Sequence, residues 1–204
     1  MAQTPANLKL KILAFVGSVR DGRMADRIVK LVKDFYSEQS DGHTVEIIDP
    51  EELGLPVLKQ PMHFYRDQSK IPEVLHKVNK KIQEADAFMI ISAEYNRTIP
   101  PALTNTLDHF PPPSFEFKPS AMVTYSMGQQ GGISACMALR PFLSELGCLP
   151  VKHMVNIPQV HQQVTEDGKT ENAHITSSLK KSYAELTWHG KSMKYMRDVV
   201  GVPK

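Results

Sequence analysis

Cysteine is nearly absent from this sequence: only Cys136 and Cys148 occur in 204 residues. Two cysteines cannot build a disulfide framework, and this pair matches no Cys-x-x-Cys or zinc spacing. Charge of one sign is equally scarce in excess, with 24 basic against 22 acidic residues and a net charge of +2. So even a balance gives no electrostatic case for a nucleic-acid or anionic-membrane partner. No apolar run approaches the roughly 18 residues that cross a bilayer. Residues 1–11 read as a short polar stretch without a secretory signal, and Val202-Pro203-Lys204 matches no lipidation or peroxisomal ending. The expectation is a cytoplasmic protein. The eight histidines form no His-Glu-x-x-His or related spacing, so no metal site is expected.

What is present is ordinary globular composition, 41% apolar and 23% charged, in a chain long enough to bury a core without staples. A single domain over residues 1–204 is expected. Apolar runs at 10–16, 44–49, 87–92, 120–125 and 149–156 read as strands. Helical spacing follows each one: Ile28, Val29, Val32 and Phe35; Val74, Leu75, Val78 and Ile82; Leu103, Leu107 and Phe110; Ile133, Met137 and Phe142; Ile175, Leu179, Tyr183, Leu186 and Met193. Thr98 reads as the N-cap of the third of these helices, with Pro100 and Pro101 in its first turn. Residues 50–70, with Pro56 and Pro61, read as a long inserted loop. Five strands alternating with helices require parallel pairing, and strands apolar on both faces require helices on both sides. The expected fold is therefore α/β, a flavodoxin-like doubly wound five-stranded parallel sheet of order 2-1-3-4-5.

In such a sheet ligands bind beyond the carboxyl ends of the strands, and strands one, three and four are neighbours. Their three following loops carry the unusual residues. The first, Gly17-Ser18-Val19-Arg20-Asp21-Gly22-Arg23-Met24-Ala25, joins a strand to a helix, so backbone N–H groups and the helix dipole favour an anion there. Ser18 and Arg20 add a hydroxyl and a guanidinium suited to phosphate. Walker-A glycine spacing is met, but Arg23-Met24 replaces the required Lys-Ser/Thr, and Gly-x-Gly-x-x-Gly is absent. A terminal monophosphate fits better than a triphosphate or pyrophosphate. The second loop, Ala93-Glu94-Tyr95-Asn96, offers a tyrosine face, an Asn fit for left-handed geometry and backbone groups for a planar heterocycle. The third, Ser126-Met127-Gly128-Gln129-Gln130-Gly131-Gly132, has glycines that permit close approach to a flat ligand and a helix start that stabilises negative charge. No Gly-x-Ser-x-Gly elbow or Cys-x5-Arg loop occurs, and Cys136 reads as a core thiol.

These residues resemble the NADPH-dependent FMN reductase family, which includes flavodoxin-like NAD(P)H:quinone reductases and azoreductases. The matching pieces are Gly17-Ser18-x-Arg20; Glu94-Tyr95-Asn96 with Ile99-Pro-x-Ala-Leu103-x-Asn105-x-Leu107-Asp108; and Ser126-x-Gly128-x-x-Gly131-Gly132. The resemblance implies FMN as cofactor. Ser18 and Arg20, with backbone near Met24 and Ala25, would hold its phosphate. Ala93, Glu94, Tyr95 and Asn96 would border the isoalloxazine, with Ser126, Gly128, Gly131 and Gly132 on the other side, the last two at the pyrimidine edge. It implies hydride transfer from NADPH or NADH through flavin N5 to a quinone, azo compound or free flavin, with no catalytic side chain required. A homodimer or homotetramer is implied as well, with Tyr95 and residues 109–117 near a partner chain. Two positions depart from the family pattern. Ala93 stands where Pro is common, and Met24 and Ala25 stand where Ser is frequent; Arg23 is expected to compensate at the phosphate. Other readings of the same features are a flavin-binding sensor with little turnover and an organoarsenical or chromate reductase of the same superfamily.

Overall fold

A computed structural model describes residues 4–203. Residues 1–3 and 204, included above among the ends without targeting signals, lie outside the described residues. Five strands, β1 (Lys11–Val16), β2 (Thr44–Ile48), β3 (Ala87–Ala93), β4 (Lys118–Tyr125) and β5 (Cys148–Ile157), form one sheet of order β2-β1-β3-β4-β5. Every pairing is parallel. The seven helices among the described residues are α1 (Ala25–Ser37), α2 (Pro50–Leu53), α3 (Glu73–Glu84), α4 (Pro101–Asp108), α5 (Ile133–Glu145), α6 (Val160–Gln163) and α7 (Ala173–Val199). None of them is long and apolar enough to cross a membrane.

The period of two along each strand divides the core. Ile12, Ala14 and Val16 of β1, with Ala121, Val123 and Tyr125 of β4, face α1 and α7. Leu13, Phe15, Phe88 and Ile90 face α3, α4 and α5. On that second side the rings of Phe15, Phe88 and Phe115 pack with centroids 5.3–6.3 Å apart, a spacing at which aromatic pairs attract beyond their buried area. Both cysteines lie in this layer. Burial pushes both thiols up, Cys148 to about 12, so they are inert core groups.

Several local expectations change. The 50–70 segment is not bare loop: Asp49 caps α2 through Glu51 N, and turns of 3-10 helix occupy Met62–Phe64 and Gln68–Lys70. Asn105 of α4 staples this insertion, accepting from Leu58 N and donating to Pro56 O. Thr98 does not cap α4. Its N–H and C=O pair with Tyr95 across the turn, and the helix starts three residues later, at Pro101, behind an extended Pro100. The buried stripe of α5 is Ala135, Cys136, Leu139 and Leu143, while Met137 is exposed.

One buried ion pair shapes the loop after β1. Arg23 gives two parallel bonds to Asp49 at the end of β2, Nη1 to Oδ1 at 2.8 Å and Nη2 to Oδ2 at 2.6 Å. It also donates to Ser18 O at 2.6 Å and to Asp26 at 2.9 Å. Both side chains of the central pair are about nine-tenths buried, at 11% and 9% exposure. The hydrogen bond to Asp49 outweighs burial and holds the guanidinium far above its ordinary pKa. Arg23 also lines the crevice, but most of its donors are spent on tying β1, α1 and β2 together.

Urea unfolding tests these contacts with three variants. Arg23→Ala leaves Asp49 buried without its partner and is expected to lose about 3 kcal/mol, the lower end for a broken buried pair. Arg23→Lys recovers only part of this, because an ammonium cannot form the two-pronged contact. Gly132→Ala is expected to cost more than about 1 kcal/mol. Its φ is +79°, and a Cβ there would sit 2.9 Å from Tyr125 N.

Candidate functional site

The parallel register brings three strand ends together. Gly17 N–H donates to Ile91 O at 2.8 Å, and Glu94 N–H donates to Tyr125 O at 3.2 Å, so the chain leaves β1, β3 and β4 side by side. The approach is close: a Cβ on Gly17 would lie 3.2 Å from the Ser92 backbone, tight enough that the neighbouring strand would have to give by a few tenths of an ångström. A crevice of about 290 Å³ opens beyond the three ends. Of the residues expected there, Ser18, Arg20, Met24, Ala93, Glu94, Tyr95 and Ser126 line it. A larger groove of about 520 Å³ lies among Phe117, Leu149 and the last turns of α7. Phe117 and Leu149 flank the opening ends of β4 and β5, so this groove is remote from the strand ends where the motifs gather.

The first loop presents an open anion site. Residues 20–23 close a tight turn, Arg23 N–H to Arg20 O, that needs Gly22 at a φ of 64°. Met24 then precedes α1, and no side chain caps the helix. Its first-turn donors and the positive end of its dipole thus meet no built-in carboxylate cap. Arg20 makes no ion pair or hydrogen bond among the described residues, and its guanidinium rests 3.5 Å above the centre of the Tyr95 ring. Ser18 is buried, with Oγ 2.5 Å from Tyr95 Oη. Ala25 points into the core below.

Tyr95 and Asn96 belong to a narrow reverse turn. Asn96 and Arg97 both have positive φ, 49° and 65°, between the reciprocal bonds of Tyr95 and Thr98. Two successive left-handed residues are the mark of a primed hairpin turn. The left-handed Asn96 expected from sequence is therefore present, though at the turn's tip, outside the crevice lining.

Glu94 has a role that the sequence did not reveal. Its Oε2 accepts from Ser134 N at 2.9 Å and Ala135 N at 3.2 Å, so a carboxylate closes the N-terminus of α5. This corrects the expectation of an open, positive helix start behind the third loop. The glycines there also answer to the protein. A Cβ on Gly131 would meet the backbone at Asn156, Ile157 and Pro158 at 3.0 Å, and one on Gly132 would strike Tyr125 N. They allow the loop to lie against β4 and β5, and neither lines the crevice. Gly128 is also away from the lining; its carbonyl accepts from Gln159 N and Ser126 Oγ.

The crevice holds one residue absent from the expected set that bears on its chemistry, Tyr125. Continuing the alternation of Ala121 and Val123 places its side chain toward α1, a signal present in the sequence but not extended to the end of the strand. Tyr125 is 3% exposed, and its Oη has no hydrogen-bond partner.

Known proteins resemble this chain in sequence and in fold. A protein from a Burkholderia species, 2-hydroxy-1,4-benzoquinone reductase, is 27% identical over 198 residues, covering 94% of this chain and 98% of its own. NAD(P)H:quinone oxidoreductase of Solanum tuberosum is 28% identical over 74% of this chain and 73% of its own. Among solved structures, the flavoenzyme NAD(P)H:(acceptor) oxidoreductase of Paracoccus denitrificans has the same fold, with a TM-score of 0.70 at 22% identity, covering 89% of this chain and 98% of that one. The family model for NADPH-dependent FMN reductases matches residues 10–162, a span that runs from β1 through all three loops, and the chain belongs to that family.

Proposed function

We propose that this chain is one flavodoxin-like domain over residues 1–204 that holds FMN in the crevice and passes electrons from NADPH or NADH to a quinone, an azo compound or free flavin. The observation that carries this reading is the contrast between the two helix starts at the site. The α1 N-terminus has no side-chain cap and lies beside an unpaired Arg20, whereas α5 is closed by Glu94. A single anionic group is therefore directed to the first loop, which suits a monophosphate. The named relatives act on quinones, and their length matches this chain closely in the Burkholderia case.

In this reading Ser18, Arg20 and the backbone at Met24 and Ala25 hold the phosphate. Ala93, Glu94 and Tyr95 border the ring system with Ser126 opposite, and Asn96, Gly128, Gly131 and Gly132 shape the loops behind them that hold this lining in place. FMN, when bound, supplies the hydride chemistry. The side chains supply position: the rigid hairpin fixes Tyr95, and the capped α5 fixes the third loop. The reading extends to a cytoplasmic homodimer or homotetramer, supported by exposed Val57 and Phe64 on the insertion stapled to α4.

The purified protein is expected to show the two visible bands of oxidised flavin, or to acquire them with added FMN, and to oxidise NAD(P)H steadily when a quinone is present. Steady turnover also separates an enzyme from a flavin-binding sensor. A colourless protein that takes up no added FMN sinks the proposal. Arg20→Ala is expected to weaken FMN binding by about tenfold or more, the loss for one charge-assisted contact, measured by quenching of flavin fluorescence. Unchanged affinity in that variant would remove the first loop from the phosphate site.

A further inference from the structure

The hydroxyl groups at the floor of the crevice do not balance. Ser18 Oγ and Tyr95 Oη lie 2.5 Å apart and share one hydrogen bond, in which either can be the donor. Two hydroxyl hydrogens serve that one bond, so one remains to be given elsewhere. Tyr125 Oη adds another, buried and without any partner. A buried hydroxyl lacking an acceptor is disfavoured and calls for an explanation. Here the surplus consists of donors, at a place that also contains Arg20 and the uncapped start of α1.

Position narrows what the missing acceptor can be. Tyr125 points to the α1 side of the sheet, in the same core layer as Ala25 and Ile28 of the first turn of α1. Ser18, Arg23 and Tyr95 line the crevice with it, and these groups together with Asp26 act on its titration; the Ser18 hydroxyl is near enough to do so but does not meet hydrogen-bond geometry with the phenol. Of these charges, Asp26 is already neutralised by Arg23 at 2.9 Å. Burial is the largest influence and raises the phenol's pKa, Tyr95 and Asp26 add to it, and Arg23 and the Ser18 hydroxyl offset only part, so the group stays a protonated donor across the working range.

Resting on the proposed FMN site, we infer that Tyr125 is a phosphate-binding residue, its hydroxyl donating to the phosphoryl group of FMN from below the first turn of α1. Ser18 and Tyr95 contribute the other surplus hydrogen. The inference also accounts for the absence of a hydroxyl at Met24 and Ala25. In place of a serine at the helix start, this chain uses a phenol from the end of β4. The phosphate then meets a floor donor, the α1 backbone and the Arg20 guanidinium.

Tyr125→Phe tests this with little disturbance, because it removes only an unpartnered oxygen. Apoprotein of wild type and variant is titrated with FMN and with riboflavin, which lacks the phosphate, and the melting temperature of each apoprotein is measured. The expected result is FMN affinity weaker by about tenfold or more, riboflavin affinity within about twofold, and an apoprotein melting temperature equal to or above wild type. Equal FMN affinity in the two proteins overturns the inference. Parallel losses for FMN and riboflavin overturn it too, since they would assign Tyr125 to packing of the ring site, as would a melting temperature clearly below wild type. If wild type binds neither flavin, the underlying FMN reading falls. If wild type binds FMN and the variant is unaffected, only the role of Tyr125 falls.

Discussion

The site depends on the parallel register among β1, β3 and β4. Val16 lies opposite Ile91, and Ala93 lies opposite Tyr125, so all three strands end within a residue or two of the same level. Parallel strands cannot be joined by short hairpins, and each must return through a helix on one face. The returns from β1, β3 and β4 deliver three strand-to-helix loops to one edge. Nothing in any single loop creates a crevice. Adjacent strand ends create it, and the hydrogen bonds from Gly17 to Ile91 and from Glu94 to Tyr125 fasten its floor.

Given that floor, the electrostatics are set by what each helix start has for a cap. A helix offers four unpaired N–H groups and a partial positive charge at its beginning. Glu94 reaches across from β3 and takes two such groups on α5, which stabilises that helix and leaves the third loop without an open positive pole. Near the start of α1, Asp26 and Asp49 are both held by Arg23. The clamp thus works twice. It fixes the loop between β1 and α1, and it keeps two negative charges from competing with an incoming anion.

These arrangements were legible in the sequence to different degrees, and the difference follows distance along the chain. The sheet order could be read because apolar runs and helical stripes are local patterns, repeated five times with little interruption. The location of the crevice could be read from where Gly17, Ala93 and Ser126 stand in that repeat. The partners of Arg23 and Glu94 could not. Asp49 is 26 residues from Arg23, and Ser134 is 40 residues from Glu94. Neither distance has a periodicity that would betray it. Thr98 was misread for the opposite reason. Its helix-capping signal is local and correct in type, but the bond to Tyr95 in the turn before it claims the same backbone. The glycines of the third loop were recognised as sites of close approach, yet what approaches Gly131 and Gly132 is the backbone of β5 and β4.

The same reasoning explains why the least comfortable group in the crevice is a tyrosine. Several polar groups around the first loop are settled within the fold: Arg23 pairs with Asp49, and Glu94 closes α5. A chain selected only for stability would settle Tyr125 as well, most simply by losing its hydroxyl. Retaining an unpaired buried donor carries a desolvation cost in the free protein, of about 1–3 kcal/mol for a hydroxyl. Strain of that kind concentrates where a ligand relieves it. The fold therefore marks its binding point by omission: the unmatched donors of Tyr125, Arg20 and the α1 terminus converge on one small volume, and an oxyanion there would complete all three.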